Sequence, residues 1–220
     1  MTPDPGTARL MAASAAAEGR PLDWFEQLYA AARAGEAEVP WGSQQVNPNL
    51  QSWRLLNPTV MRRTLVVGCG YGDDAQWLAE QGCEVTAFDI APSAVERCRE
   101  RFPHSSVQYE VANLLDPPPE WLSHPFDLVF EAYTIQALPP GSAERKAAMA
   151  MLPELTAGTL LVIARAREEG EDQGSMPWPL HRGEFQSLTE RGMDELLFED
   201  YLDPDNPTVR RFRGTFVKRA

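Results

Sequence analysis

Between Thr64 and Asp74 the sequence passes from a short apolar run through three closely spaced glycines into a helix-like segment. Leu65-Val66-Val67 leads into Gly68-Cys69-Gly70-Tyr71-Gly72 and then Asp73-Asp74. Glycines let the backbone take angles closed to other residues and let a ligand approach closely. The helix behind them offers free N–H groups at its first turn. Seventeen residues beyond Gly72 stands Asp89, at the end of a second strand-like run, Glu84 to Asp89. A carboxylate there can accept hydrogen bonds from both hydroxyls of a ribose. The third glycine comes one residue earlier than in Gly-x-Gly-x-x-Gly, and the acids Asp73 and Asp74 follow it. Acids at that point repel a pyrophosphate and suit a cationic, adenosine-bearing ligand.

The same alternation continues. Helices are expected over Asp73–Gln81, Ser93–Phe102 and Ala143–Leu152, with strands over Ser106–Ala112, Phe126–Glu131 and Thr159–Ala166. A further helix is expected over Gly183–Arg191. Glu195–Tyr201 and Val209–Lys218 read as a closing hairpin. Alternating strands and helices specify an α/β sheet wound in both directions. Upstream, Asp23–Gly35 and Asn49–Leu56 read as helices, with a loop broken by Pro40, Gly42 and Pro48 between them. Residues 1–22, rich in Ala, Gly and Pro, read as a flexible tail or a loose helix. Residues 23–60 then form a helical extension or lid, and 61–220 a single catalytic-sized domain. The 220 residues suit one core.

The charge narrows the partners. The formal net charge is −12, and no basic stripe with aromatics occurs. Nucleic acid and anionic membrane are therefore not expected. No apolar run is long enough to cross a bilayer, so a cytoplasmic location is expected. Cys69, Cys83 and Cys98 fit neither a disulfide framework nor a zinc site, and no metal is expected. His104, His124 and His181 are scattered, with only His181 near a candidate substrate loop.

Gly68-Cys69-Gly70-Tyr71-Gly72, followed by Val85-Thr86-Ala87-Phe88-Asp89, resembles the first two motifs of class I S-adenosylmethionine-dependent methyltransferases. Phe126-Asp127-Leu128-Val129-Phe130-Glu131-Ala132-Tyr133 resembles the fourth-strand motif. Val39-Pro40-Trp41-Gly42, Asn47-Pro48 and Leu50 resemble the N-terminal segment of the thiopurine and halide/thiol methyltransferases, with Trp-Gly in place of the commoner Trp-Asp. The resemblance implies a single-domain, Rossmann-like, seven-stranded, mostly parallel sheet with a C-terminal antiparallel hairpin and a helical N-terminal extension. It implies S-adenosyl-L-methionine as cofactor and S-adenosyl-L-homocysteine as product. The cofactor site it implies comprises Trp41, Gly68, Cys69, Gly70, Gly72, Asp74, Asp89, Ile90, Asn113, Leu114 and Glu131. Asn113 stands where the family has an acid, and its carbonyl can still accept from the adenine amine.

Ligands bind at the carboxyl ends of strands in such sheets. Glu131 and Tyr133 are therefore the catalytic candidates, and Gln136 adjoins them. Trp24, Tyr133, Gln136, Trp178 and Arg182 are expected to meet the substrate, with Arg182 either paired to a substrate carboxylate or solvated. Trp24, Trp41 and Trp53 either pack against the sheet or form an aromatic lid over the cofactor. Methyl transfer to a small-molecule thiol is the leading expectation, with N- or O-methylation of a small metabolite as the alternative. A nicotinamide oxidoreductase and a non-catalytic cofactor-binding module are the remaining readings.

Overall fold

Seven strands form one sheet. β1 (Arg63–Val67), β2 (Glu84–Asp89), β3 (Gln108–Val111), β4 (Phe126–Ala132) and β5 (Thr156–Arg165) run parallel. β7 (Arg210–Lys218) lies antiparallel between β5 and β6 (Met193–Leu202). The order is β3-β2-β1-β4-β5-β7-β6. The computed structural model describes residues 5–57, 62–174, 176–204 and 206–219. The expected boundary at 60–61 lies outside the described residues.

The pleat explains the two cores. Side chains alternate across a strand, so Leu65 and Val67 face one layer and Val66 the other. Leu160, Val162 and Ala164 join the first layer, Leu161 and Ile163 the second. The continuous apolar run of β5 is the mark of a strand buried on both faces. α6 (Pro119–Ser123), α7 (Ala143–Met151) and α8 (Gln186–Glu190) supply Trp121, Met149 and Leu188 to the first layer. α3 (Pro48–Leu56), α4 (Asp73–Glu80) and α5 (Pro92–Arg101) supply Trp53, Leu78 and Cys98 to the second.

Several elements differ from expectation. β3 is shorter than Ser106–Ala112, and β5 begins at Thr156. The segment expected as one helix over Gly183–Arg191 is a 3-10 turn, Arg182–Phe185, running into α8. Pro119 opens α6, since a proline lacks only an N–H that the first turn leaves unpaired anyway. Within residues 1–22, Pro5–Ala17 form the helix α1, which packs on α2 (Asp23–Arg33). Ala8 and Ala15 of α1 are buried with Trp24 and Leu28 of α2 and with Ala91 and Ala94 at the start of α5.

The chain steps from β1 outward to β3 and then returns to the other side of β1 as β4. That reversal opens a crevice at the carboxyl ends of β1 and β4. In register, Val67 lies between Phe88 of β2 and Glu131 of β4. These three strand ends carry the crevice and the residues that line it.

Candidate active site

A cavity of about 610 Å³ occupies the crevice. Its floor is the glycine turn. Gly68 has φ +60, and a Cβ there would lie 2.2 Å from the Thr134 hydroxyl oxygen. Only glycine lets β1 pass so close to the turn after β4. Gly68, Cys69 and Gly70 line the cavity. Gly72 does not: with φ +85, it sits beneath the turn, and a Cβ would meet the Cys98 thiol and the Tyr109 hydroxyl at 2.9 Å. Its role is to let α4 close onto the sheet.

Asp89, 6% exposed, receives the Gly70 N–H on one oxygen and the Ala91 N–H on the other, both at 3.0 Å. Each carboxylate oxygen keeps a second lone pair. Asp74 accepts the Asn47 N–H at 2.7 Å. Burial pushes each carboxyl up to about 6, against which the N–H bonds work. Neither acid has a cationic partner among the described residues. Asp73 differs: it forms a two-pronged ion pair with Arg101 at 2.7 and 2.8 Å. Two carboxylates, Asp89 buried and Asp74 half-buried, with no cationic partner among the described residues suit hydroxyl donors and a positive ligand. Ile90, Asn113 and Leu114 line the same end of the cavity. The Asn113 carbonyl accepts the Leu115 N–H at 2.9 Å and retains one lone pair.

The roof comes from the N-terminal extension. Asn47 caps α3 by accepting the Asn49 N–H, with Pro48 at the first helical position. This cap sets the Asn47 backbone over Asp74. Trp41 lines the cavity and donates its indole N–H to the Tyr29 hydroxyl at 2.8 Å. Tyr29 in turn lies over Gly70 and meets Tyr71 edge-on. Trp24 and Trp53 do not take part in this roof. Both are 1% exposed; Trp24 stacks on Phe25, and Trp53 donates to Thr215 at 2.9 Å. The expected aromatic lid is thus Phe25, Tyr29, Trp41 and Tyr71, with Trp24 packed behind it as core.

At the end of β4 the chain turns sharply. Glu131 is fully buried and does not line the cavity. One of its oxygens accepts the N–H groups of Thr134 and Ile135 at 2.7 and 3.0 Å; the other has no partner among the described residues. Burial pushes this carboxyl up to about 7. The turn it clamps holds Tyr133 at φ +66, a conformation costing roughly 1–2 kcal/mol for a non-glycine residue. Tyr133 lines the cavity, with the Arg211 guanidinium 5.0 Å from its ring centroid. Glu131, expected as a cofactor contact and a catalytic group, lies outside the cavity and bonds the backbone of the turn that carries Tyr133.

The remaining expected substrate residues divide. Gln136 lines the cavity, but its amide is committed to the Arg165 N–H and the Trp178 carbonyl. Met176 and Pro177 line the cavity, whereas Trp178 turns into the cluster around α1 and α2. Arg182 is away from the site: it pairs with Glu195 at 2.5 Å and lies over the Phe198 ring. His181 borders a separate hollow beside α7. The guanidinium groups that do line the cavity are Arg165, at the end of β5, and Arg211, at the start of β7. Sequence reading missed both as site residues, because β7 is inserted antiparallel beside β5 and brings Arg211 opposite Arg165. No local motif signals that pairing. Tyr29 was missed as well, since its place in the roof depends on how α2 packs over the glycine turn. Among the described residues, no group of His, Cys, Asp or Glu is arranged to hold a metal ion.

The family model described as Thiopurine S-methyltransferase (TPMT) matches residues 29–213. A thiopurine S-methyltransferase of Pseudomonas syringae pv. pisi is 28% identical over 148 residues, 60% of this chain and 68% of that protein. The fold matches the N-methyltransferase NodS of Bradyrhizobium japonicum, crystallised with S-adenosyl-L-homocysteine. The TM-score is 0.68 at 18% identity, over 89% of this chain and 100% of that one. It also matches magnesium protoporphyrin IX methyltransferase (ChlM) of Synechocystis, with TM-score 0.69 at 16% identity, over 92% and 100% of the two chains. The match displaces the oxidoreductase alternative, which the unpaired acids over the glycine turn also disfavour. Sheet order, acid-bearing glycine turn and family match converge: the chain belongs to the thiopurine S-methyltransferase family of class I S-adenosylmethionine-dependent methyltransferases.

Proposed function

We propose that the protein methylates the sulfur of a small thiol, using S-adenosylmethionine held at the acid-bearing end of the cavity. The observation that carries this reading is the continuity of one cavity from Asp74 and Asp89 to Tyr133, Arg165 and Arg211. The cofactor supplies a methyl group already activated on a cationic sulfur. Asp89 accepts from the ribose hydroxyls, and Asn113 accepts from the adenine amine. Asp74 offsets the positive charge. Trp41 and Tyr29 cover the glycine turn and limit water.

At the other end, the guanidinium groups of Arg165 and Arg211 favour the thiolate, the reactive form, of a neighbouring acceptor, Arg211 through the donors left beyond its Nε bond to Asp203. Alignment is then the main catalytic demand, and good alignment supplies about 7–11 kcal/mol in favourable cases. Tyr133 orients the acceptor from its constrained turn. A base is not needed for an acceptor already ionised, which agrees with Glu131 being walled off. A volume of about 610 Å³ suits cofactor and small acceptor together.

Calorimetry tests the first half. Wild-type protein is expected to bind S-adenosylmethionine and S-adenosylhomocysteine, and Asp89→Ala to bind both about 100-fold more weakly, two charge-assisted bonds being lost. Product analysis with paired aromatic thiol, amine and phenol acceptors tests the second half. Methylation of the thiol alone supports the reading; methylation of the amine or phenol in its place transfers it to N- or O-methylation, and cofactor binding with no turnover of any acceptor points to a binding module.

A further inference from the structure

Arg165 lines the acceptor end of the cavity, and its guanidinium is tied to backbone: Nη1 donates to the Pro177 carbonyl at 3.2 Å. No carboxylate pairs with it among the described residues, although the chain carries 32 acids against 20 Lys and Arg. Burial first, and then the charges of Arg211 and Arg9, lower its pKa. The charges that act on it are therefore cations. Arg211 is compensated by Asp203 at 2.7 Å; Arg165 and Arg9 are not compensated by any described acid.

Arg9 comes from α1, before residue 29, where the family match begins. Its Nε donates to the Met176 carbonyl at 3.1 Å across 167 residues of sequence. Met176 and Pro177 form a wall of the same cavity. The helix thus brings a second unpaired guanidinium to the wall that Arg165 already touches. Arg165 is half-buried and Arg9 exposed, so an anionic ligand in the cavity would meet one guanidinium in its wall and a second at its rim, neither already paired with a described acid.

We propose that the acceptor of this protein carries a carboxylate in addition to its nucleophile, and that Arg165 binds it while Arg9 sets the selectivity for it. The inference rests on the thiol reading only for the choice of probes. Arg165 presents the planar fork that matches a carboxylate. Arg9 holds the Met176 wall and adds long-range attraction. Arg182, which the sequence suggested for a substrate carboxylate, is neutralised by Glu195 elsewhere.

The test uses two thiols of the same shape, 4-mercaptobenzoate and 4-mercaptobenzamide, titrated calorimetrically into full-length protein saturated with S-adenosylhomocysteine. Wild type is expected to bind the carboxylate about tenfold more tightly, the effect of one charge-assisted bond. Arg165→Ala is expected to remove that ratio, and Arg9→Ala to cut it about threefold at most, as for an exposed charge. Arg9→Lys keeps the charge and is expected to keep the ratio. Thermal unfolding verifies that each variant is folded. Equal affinity of wild type for the two thiols, or a parallel loss of both in the variants, overturns the proposal. Methylation of both thiols without preference leaves the thiol reading standing and removes this one. Preferential carboxylate binding without methylation does the reverse.

Discussion

Asp89 is buried and Asp74 half-buried, neither with a counter-charge among the described residues, and desolvation pushes both carboxyls up to about 6. The folded apo-protein therefore holds these protons more tightly than the unfolded chain does. From linkage, the two groups subtract stability as pH rises from about 4 to about 6, and the loss is complete above that window. Cofactor binding runs the opposite way. A protonated Asp89 cannot accept from two ribose hydroxyls as an ion, and a protonated Asp74 offers no charge to a sulfonium. Affinity for S-adenosylmethionine is thus expected to rise from about pH 5 to about 6.5 and then level, with protons released on binding in that window. Calorimetry in two buffers of different ionisation enthalpy measures that release; a flat affinity across the window rejects the assignment. Asp89 was legible from sequence because one strand and one glycine turn fix its place. Arg165 and Arg211 were not, since their meeting depends on β7 lying beside β5.

The short turn after β4 joins the sheet to the acceptor site. Glu131 caps it with a single oxygen and leaves the second unpaired in the core. It differs in this from Asp89, whose carboxylate faces the cavity. The cation acting on Glu131 is Arg145, itself held bidentate by Glu184 at 2.7 and 2.9 Å. With the carboxyl raised to about 7, Glu131 removes stability as pH rises from about 4.5 to about 7. Glu131→Gln preserves an acceptor for the two N–H groups and abolishes the titration. Its melting temperature relative to wild type is expected to rise across that range. Glu131→Ala strands both N–H groups, with a loss of about 2–4 kcal/mol, and lowers kcat more than cofactor affinity as Tyr133 loses its support. Most elements were readable from period and punctuation: β2 and the start of α4 fall where expected. The turn was not, because Tyr133 at positive φ is imposed by the Glu131 clamp and by Gly68 opposite, both tertiary.

For the whole molecule, the sheet and its first two turns build the end of the cavity proposed as the cofactor cradle, while the N-terminal segment builds the roof and supports the wall proposed for the acceptor. The two contributions are separable. The cradle residues Gly68–Gly70, Asp89, Ile90 and Asn113 belong to strand ends anchored in the sheet core. α1 touches the rest through Ala8 and Ala15 in a cluster with Trp24, Ala94 and Met176, and through Arg9. Removal of residues 1–20 exposes Trp24 and releases the Met176 wall. The apolar burial this forfeits is modest, because the side chains that α1 buries fully are alanines, with Met11 and Ala12 partly buried beside them, about 0.8 kcal/mol for each buried methyl-sized group. A fall of several degrees in melting temperature is expected, with S-adenosylhomocysteine affinity reduced less than about fivefold, within about 1 kcal/mol. Acceptor KM, by contrast, is expected to rise well beyond that factor. Calorimetry and steady-state kinetics on the shortened chain separate the two effects. A loss of cofactor binding equal to the loss of acceptor binding would mean that α1 supports the roof over Gly70 as much as the wall at Met176, and that cradle and wall close as one unit.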